Sequence, residues 1–269
     1  MAVLSVAACA TGGSAWMEQP LDSDYAPVLE EDDARPVASR DASDAPAALR
    51  STRVSAGEEQ PSDVPGSLPR ADERTAASGG RALGTFRNTY YDFPNEGDFE
   101  GAQVPLKNAR CDTIASVAKG FYDAVCVQGS GTLRRGSTVS FAKRDCACAE
   151  ICPRTEQKIC FDELDPKEFP WGRGAAGKPI TPLLTVAVDP EVIPLGTAVY
   201  VPELDGLPRD QDGTSRHDGC FVAQDKGLKV KGRHLDIFTG HASITALWNR
   251  MVPSNRGVTV VLETQRCAR

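Results

Sequence analysis

The sequence predicts a mainly β fold, a sandwich or closed barrel, entered from a long disordered N-terminal segment. Three observations carry this. Short runs of alternating or β-branched residues, bounded by Gly and Pro turns, recur from Gly84 to Thr264. Helical periodicity is scarce beside them. Residues 10–82 are rich in Ala, Ser, Pro, Asp and Glu, with Trp16 and Tyr25 as their aromatic residues. Such a segment cannot bury enough apolar surface to offset its conformational entropy.

Taken in order, GTFRNTYY (84–91) reads as the first strand. CDTIASVAKGFYDA (111–124) is a helix candidate, and AVCVQGSGTL (124–133) and STVSFAK (137–143) read as strands joined by an RRG turn. Residues 144–182 fit neither period. They hold Cys146, Cys148, Cys152 and Cys160, and read as a disulfide-pinned insertion between barrel strands. LLTVAVD (183–189), TAVYVPE (197–203), GCFVAQD (219–225), RHLDIF (233–238) and GVTVVLET (257–264) complete the strands. HASITALWNRM (241–251) is the better helix, because Ile244, Leu247, Trp248 and Met251 follow i, i+3, i+4, i+7. That spacing assigns Trp248 to the core. The expected division is a leader over 1–9, a linker over 10–82 and a β domain over 83–269.

Of the 37 acidic and 30 basic residues, 14 acids and 6 arginines lie in residues 1–80, so that part has net charge −8 and the rest about +1. No dense basic patch marks a nucleic-acid partner. No apolar run reaches the ~20 residues that span a bilayer.

Cys9 stands apart from eight cysteines between Cys111 and Cys267. An even set of eight in an exported protein reads as up to four disulfides of unspecified connectivity. The rival reading of the Cys146–Cys160 group is a zinc site, although its spacing is not the paired C-x-x-C form. Val6-Ala7-Ala8-Cys9 resembles the lipobox of bacterial lipoproteins, in which a small residue precedes an acylated cysteine. A stub of apolar residues, MAVLSV, precedes it without a basic segment. Setting Cys9 aside leaves the even count, which favours lipidation at Cys9, an outer-membrane lipoprotein and a flexible tether.

The chemistry centres on Asp225 and Asp236, in VAQDKGLKVKGRHLDIFTG (222–240). Side chains alternate along a strand, so His234, Asp236 and Phe238 share one face while Leu235 and Ile237 take the core face. An aspartate inside an apolar strand is disfavoured, and burial raises its pKa. A raised pKa is what a general acid needs near neutral pH.

The segments LTVAVDPEVIPLGTAVYVPEL (184–204), VAQDKGLKVKGRHLDIFTG (222–240) and GVTVVLE (257–263) resemble the 3D domain, named for three aspartates. VQGSGTL (127–133) is similar to a segment of the membrane-bound lytic transglycosylase A family, which carries that domain. The resemblance covers roughly 84–265 and implies a double-psi β-barrel. It places the three aspartates at Asp189, Asp225 and Asp236, with Asp236 as the acid/base. Leu228 departs from the family's second Gly, and RHLD also resembles an element of the expansins, wall-loosening proteins on the same barrel.

The resemblance implies a peptidoglycan lytic transglycosylase of the bacterial envelope that needs no cofactor or metal. Its partner is the glycan strand, and the membrane enters only through a lipid on Cys9. Protonated Asp236 would protonate the glycosidic oxygen, then take a proton from the sugar's 6-hydroxyl as that oxygen attacks C1. Asp225 and Asp189 would orient groups or stabilise charge, and His234 is expected to be neutral. Thr89, Tyr90, Gln128, Ser130, Lys231 and His234 are the expected substrate-binding residues. Arg233 and Trp171 are weaker candidates, and His217 and His241 carry no signal. The alternatives are a two-aspartate glycoside hydrolase on the same barrel and a non-enzymatic wall-binding or expansin-like protein.

Overall fold

A computed structural model describes residues 70–268. Cys9 and most of the expected linker lie outside the described residues. The linker's last part does not stay irregular: α1 (Ala71–Ala77) and the start of β1 (Arg81–Asp92) fall before residue 83. Glu73 accepts the Arg70 N–H at 3.0 Å to open α1, and the Thr264 hydroxyl donates to the Ser78 carbonyl to close it against the domain.

The domain is a closed barrel of β1, β7 (Thr185–Ala187), β8 (Ala198–Pro208), β9 (Arg216–Asp225), β10 (His234–Gly240) and β11 (Val258–Leu262). Its order is β1-β10-β7-β9-β8-β11, closed by β11 on β1. The pairs β1/β10 and β7/β9 are parallel and the rest antiparallel. Closure leaves no barrel strand with a free edge. This is the double-psi barrel expected from the sequence.

Alternation decides what fills the barrel. Val186, Val199, Val201, Phe221, Leu235, Ile237, Val258 and Val260 point inward and are buried. Each contributes roughly 1.5–3 kcal/mol by leaving water. The helix α3 (Ala242–Met251) covers one end with Ile244 and Trp248. Trp248 is fully buried and its indole N–H donates to the Pro208 carbonyl at 2.7 Å.

Between β1 and β7 the chain leaves the barrel and builds a lobe with its own core of Leu106, Val117, Phe121, Tyr122, Val125 and Phe161. β2 (Gln103–Lys107) pairs with β3 (Thr113–Ala118), and β4 (Ser130–Thr132), β5 (Thr138–Lys143) and β6 (Cys160–Leu164) form a second sheet. The excursion is therefore longer than residues 144–182. The sequence reading of this region also changes. The expected helix over 111–124 begins as β3, because Val117 and Ala115 pair with Val104 and Leu106 of β2. The helix α2 (Lys119–Gln128) replaces the first part of the strand expected over 124–133. Phe121, Tyr122 and Val125 share its buried face, and Gly129, at φ 83°, ends it in the left-handed conformation glycine favours.

Four disulfides use all eight cysteines after Cys9. Cys111–Cys148, Cys126–Cys152 and Cys146–Cys160 staple the lobe, and Cys220–Cys267 fastens the C-terminal turn to the barrel. The sulfurs of Cys146, Cys148 and Cys160 lie within 4.8 Å of one another, which is the cluster that suggested zinc, but each is spent in a bridge. Among the described residues no helix is long and apolar enough to cross a membrane.

The Cys126–Cys152 bridge closes a separation of 26 residues. Replacing both cysteines by serine is expected to cost about 3 kcal/mol, read as a lower urea midpoint with a slope that rises as the unfolded chain loses its cross-link. An unchanged midpoint would mean that the lobe's apolar core alone holds it.

Candidate active site

The register of four neighbouring strands builds the site. Thr89 of β1 lies opposite Asp236 of β10, Asp236 opposite Ala187 of β7, and Ala187 opposite Asp225 of β9. A register shift between Val186 and Ala187 brings Asp225 into that row. The two acids are thus one alanine apart on the barrel's outer face. The lobe rises over that face and leaves a cleft of about 450 Å³, whose lining includes Thr89, Asp225, His234 and Asp236.

Asp236 is half-buried on the cleft floor. Its Oδ1 is 2.7 Å from the Thr89 hydroxyl, which also lies 2.8 Å from His234 Nε2. Burial pushes its pKa up to about 6; a hydrogen donated by Thr89 to the ionised carboxylate pulls it down, Asp225 pushes it up, and Arg87 pulls it down. His234 is buried at 6 % exposure, with Nδ1 3.2 Å from the Lys229 carbonyl. Burial, then Arg87, lower its pKa, which supports the neutral ring expected from the sequence.

Asp225 is treated differently. Its Oδ1 accepts the backbone N–H groups of Ala175 and Lys226 at 3.0 and 2.9 Å, and its Oδ2 accepts the Tyr91 hydroxyl at 3.0 Å. Its pKa is raised too, by burial above all, and these three donors and Lys226 only partly oppose the rise. A carboxyl so held is fixed in place. Gly174 makes the Ala175 contact available. A Cβ there would lie 2.6 Å from the Gln224 carbonyl, so only glycine lets the lobe backbone lie on the end of β9.

Asp189 lies outside the cleft. It is buried and accepts the N–H of Gly232 at 2.7 Å and of Glu191 at 3.2 Å, tying the end of β7 to the loop that leads into β10. It therefore positions the strand that bears Asp236 and does not face the cleft.

The remaining expected residues divide. Gln128 borders the cleft and its Oε1 accepts the Asp92 N–H at 3.3 Å. Ser130 also borders it, but its hydroxyl is buried against that of Ser140 at 2.8 Å. Lys231 is exposed and outside the lining. Tyr90 borders the cleft, yet its hydroxyl donates to the Val252 carbonyl at 2.7 Å and its ring meets Trp248. Strand parity is the reason: Arg87, Thr89 and Tyr91 face the acids, whereas Tyr90 faces the core. Tyr91 is the tyrosine that sequence reasoning missed, and parity with Thr89 is the signal that finds it. The weaker candidates also resolve. Arg233 lies over the Phe86 ring at 5.9 Å, and Trp171 packs in a cluster with Phe93, Phe238 and His241. His217 is a buried core histidine, stacked on Phe221 and lowered to about 4 by burial.

Leu228 lines the cleft, and its backbone is not in the left-handed region. Leucine in place of glycine therefore imposes no strain on this loop. The cations on the lining went largely unread in the sequence: Arg87, Arg144, Arg154, Lys226 and Lys229 surround the two acids.

Fold and site together define a double-psi barrel that carries a pair of unequal carboxyl groups in a basic cleft. Residues 184–248 match the family model described as the 3D domain, so the chain carries a 3D domain. That stretch contains β7 to β10 and all three aspartates, but not β1, which supplies Thr89. Among solved structures, the chain is similar to Escherichia coli MltA with bound chitohexaose, at 18 % identity over 67 % of this chain and 72 % of that one, TM-score 0.48. It is also similar to a membrane-bound lytic murein transglycosylase from Agrobacterium tumefaciens (15 % identity, 68 % and 74 % coverage, TM-score 0.43). A third is the lytic transglycosylase LtgG of Burkholderia pseudomallei (20 % identity, 69 % of both chains, TM-score 0.33). No curated protein matches the chain.

The raised pKa of Asp236 carries a stability cost. The folded state binds its proton more tightly than the unfolded chain, where the usual value is 3.8. The stabilisation is present below about pH 4 and is lost as pH rises through about 6. Asp236→Asn is expected to be more stable than wild type by on the order of 2 kcal/mol at pH 8, with no such gain at pH 4, in paired urea titrations. A gain that does not depend on pH would mean that Asp236 titrates normally in the folded protein.

Proposed function

We propose that this chain is a peptidoglycan lytic transglycosylase that cleaves the β-1,4 bond between N-acetylmuramic acid and N-acetylglucosamine. The observation that carries this reading is one cleft-floor carboxyl, Asp236, with a pKa raised to about 6, beside a second acid that three donors hold in place. Protonated Asp236 gives its proton to the glycosidic oxygen as the C1–O bond breaks and positive charge builds on C1. The Asp225 carboxylate opposes that charge electrostatically. The Asp236 carboxylate then takes the proton of the 6-hydroxyl as that oxygen bonds to C1, which closes the 1,6-anhydro ring and regenerates the acid. No water is consumed.

The cations around the cleft suit a glycan whose peptide substituents carry carboxylates. The reading places the protein in the bacterial envelope, with Cys9 as a lipid attachment site. The hydrolase alternative would need a second carboxylate free to activate water, and Asp225 already spends both oxygens on donors. The non-enzymatic alternative drew its support from Leu228, and the backbone there lies outside the left-handed region, so the position does not demand glycine.

Mass spectrometry of purified peptidoglycan digested by the full chain tests the proposal. Anhydro-muropeptides are expected from wild type, and Asp236→Asn is expected to lower their rate by at least about 10²-fold while remaining folded. Reducing-end products instead would establish hydrolysis, and intact glycan would establish a binding role. The rate should also fall as pH rises through about 6, because the cycle starts from protonated Asp236.

A further inference from the structure

The contacts among Asp236, Thr89 and His234 allow their hydrogens to be counted. His234 Nδ1 faces the Lys229 carbonyl at 3.2 Å, and a carbonyl only accepts, so Nδ1 carries a hydrogen. Thr89 has one hydroxyl hydrogen and two neighbours, Asp236 Oδ1 at 2.7 Å and His234 Nε2 at 2.8 Å. If His234 is neutral, Nε2 is bare and takes that hydrogen. The Thr89 oxygen is then left to accept from Asp236, which must be protonated. If His234 is charged, Nε2–H donates to Thr89 and Thr89 donates to an Asp236 carboxylate. Both arrangements hold the same number of protons and leave no atom unpaired. A neutral histidine beside an ionised Asp236 leaves two acceptors competing for one hydrogen.

The surroundings choose between the two complete arrangements. Arg87 and Tyr91 face the chain from β1, Asp225 from the end of β9, and Lys226 and Lys229 from the loop beyond it. Arg144 and Arg154 lie on the lobe wall. Burial disfavours charge on either partner, Arg87 opposes an imidazolium and Asp225 opposes a second carboxylate. The neutral pair is favoured.

The geometry points to His234 as a positioning residue for Asp236: its bare Nε2 takes the only hydrogen of Thr89, turns Thr89 into an acceptor, and so keeps the working proton on the carboxyl. When Asp236 gives that proton away, the chain is one hydrogen short, and Nε2 and the new carboxylate both press on Thr89. The carboxylate is thereby made a stronger base for the return step. That consequence for turnover rests on the transglycosylase reading; the proton placement does not.

Carboxyl NMR of the full chain, labelled with [γ-13C]aspartate and assigned with Asp236→Asn, tests the placement without substrate. His234→Leu frees the Thr89 hydrogen for the carboxylate, so the Asp236 midpoint is expected to fall by about one pH unit. In the Thr89→Val background the same replacement is expected to shift the midpoint by no more than about a third as much, because the connection is gone. An unchanged midpoint in His234→Leu, or an equal fall with and without Thr89, overturns the inference. The 15N imidazole shifts of wild type supply a second reading that needs no substitution at 234. A neutral ring with its hydrogen on Nδ1 is expected at pH 7, and the opposite tautomer or an imidazolium overturns the proposal. A shifted midpoint in a protein that does not cleave peptidoglycan would uphold the proton placement and reject the transglycosylase reading.

Discussion

The cleft depends on one row of strand pairing, in which Thr89, Asp236, Ala187 and Asp225 stand side by side on four consecutive barrel strands. Three separate registers must agree to produce it. The parallel pairing of β1 with β10 sets Thr89 against Asp236, and the antiparallel pairing of β10 with β7 sets Ala187 against Asp236. The irregularity at Val186/Ala187 then brings up Asp225. A slip of one residue in any of these pairings would turn a side chain to the other face. The inward residues resist such a slip, since Leu235 and Ile237 flank Asp236 and are both fully buried. The core therefore sets the position of the acid through alternation alone.

Placing two acids one alanine apart under a lobe is costly, and the site divides the cost unequally. Asp225 receives two backbone N–H groups and a tyrosine hydroxyl. Asp236 has one hydroxyl beside it, that of Thr89, and a histidine competes for its single hydrogen. The same burial thus acts on one carboxyl where three donors oppose it, and on another that keeps its proton up to about pH 6. Pairs of titratable groups pushed apart by environment are how one site supplies both a charge and an acid.

Much of this architecture was legible because period two is easy to read. The barrel strands from β7 to β11 show their apolar faces in sequence, and α3 shows its 3.6 period through Ile244 and Trp248. The lobe was harder. Thr113–Ala118 is short and adjoins a true helix, so the two merge into one apparent helical run, while Val125 and Val127 lend the end of α2 a β-like composition. At the site, Asp225, Asp236, Thr89 and His234 come together as the sequence suggested. Asp189 carries the same motif signal but serves a loop, and only its partners, Gly232 and Glu191, reveal that. The Ala175 N–H was beyond reach, because a backbone donor leaves no side-chain signature and arrives from a stretch 50 residues from Asp225.

That backbone donor also explains why the lobe has to be rigid. It belongs to a segment held close against β9 by Gly174, and the lobe supplies the cleft wall through Phe141, Arg144 and Arg154. Burial is the largest influence on Asp236, and removing the lobe would remove much of that burial. The lobe's apolar core is small, and small cores commonly need staples. Three of the four disulfides lie there, while the larger barrel core has one. The bridges therefore act at a distance on the acid: they hold the wall, the wall excludes water, and the exclusion of water raises the pKa of Asp236.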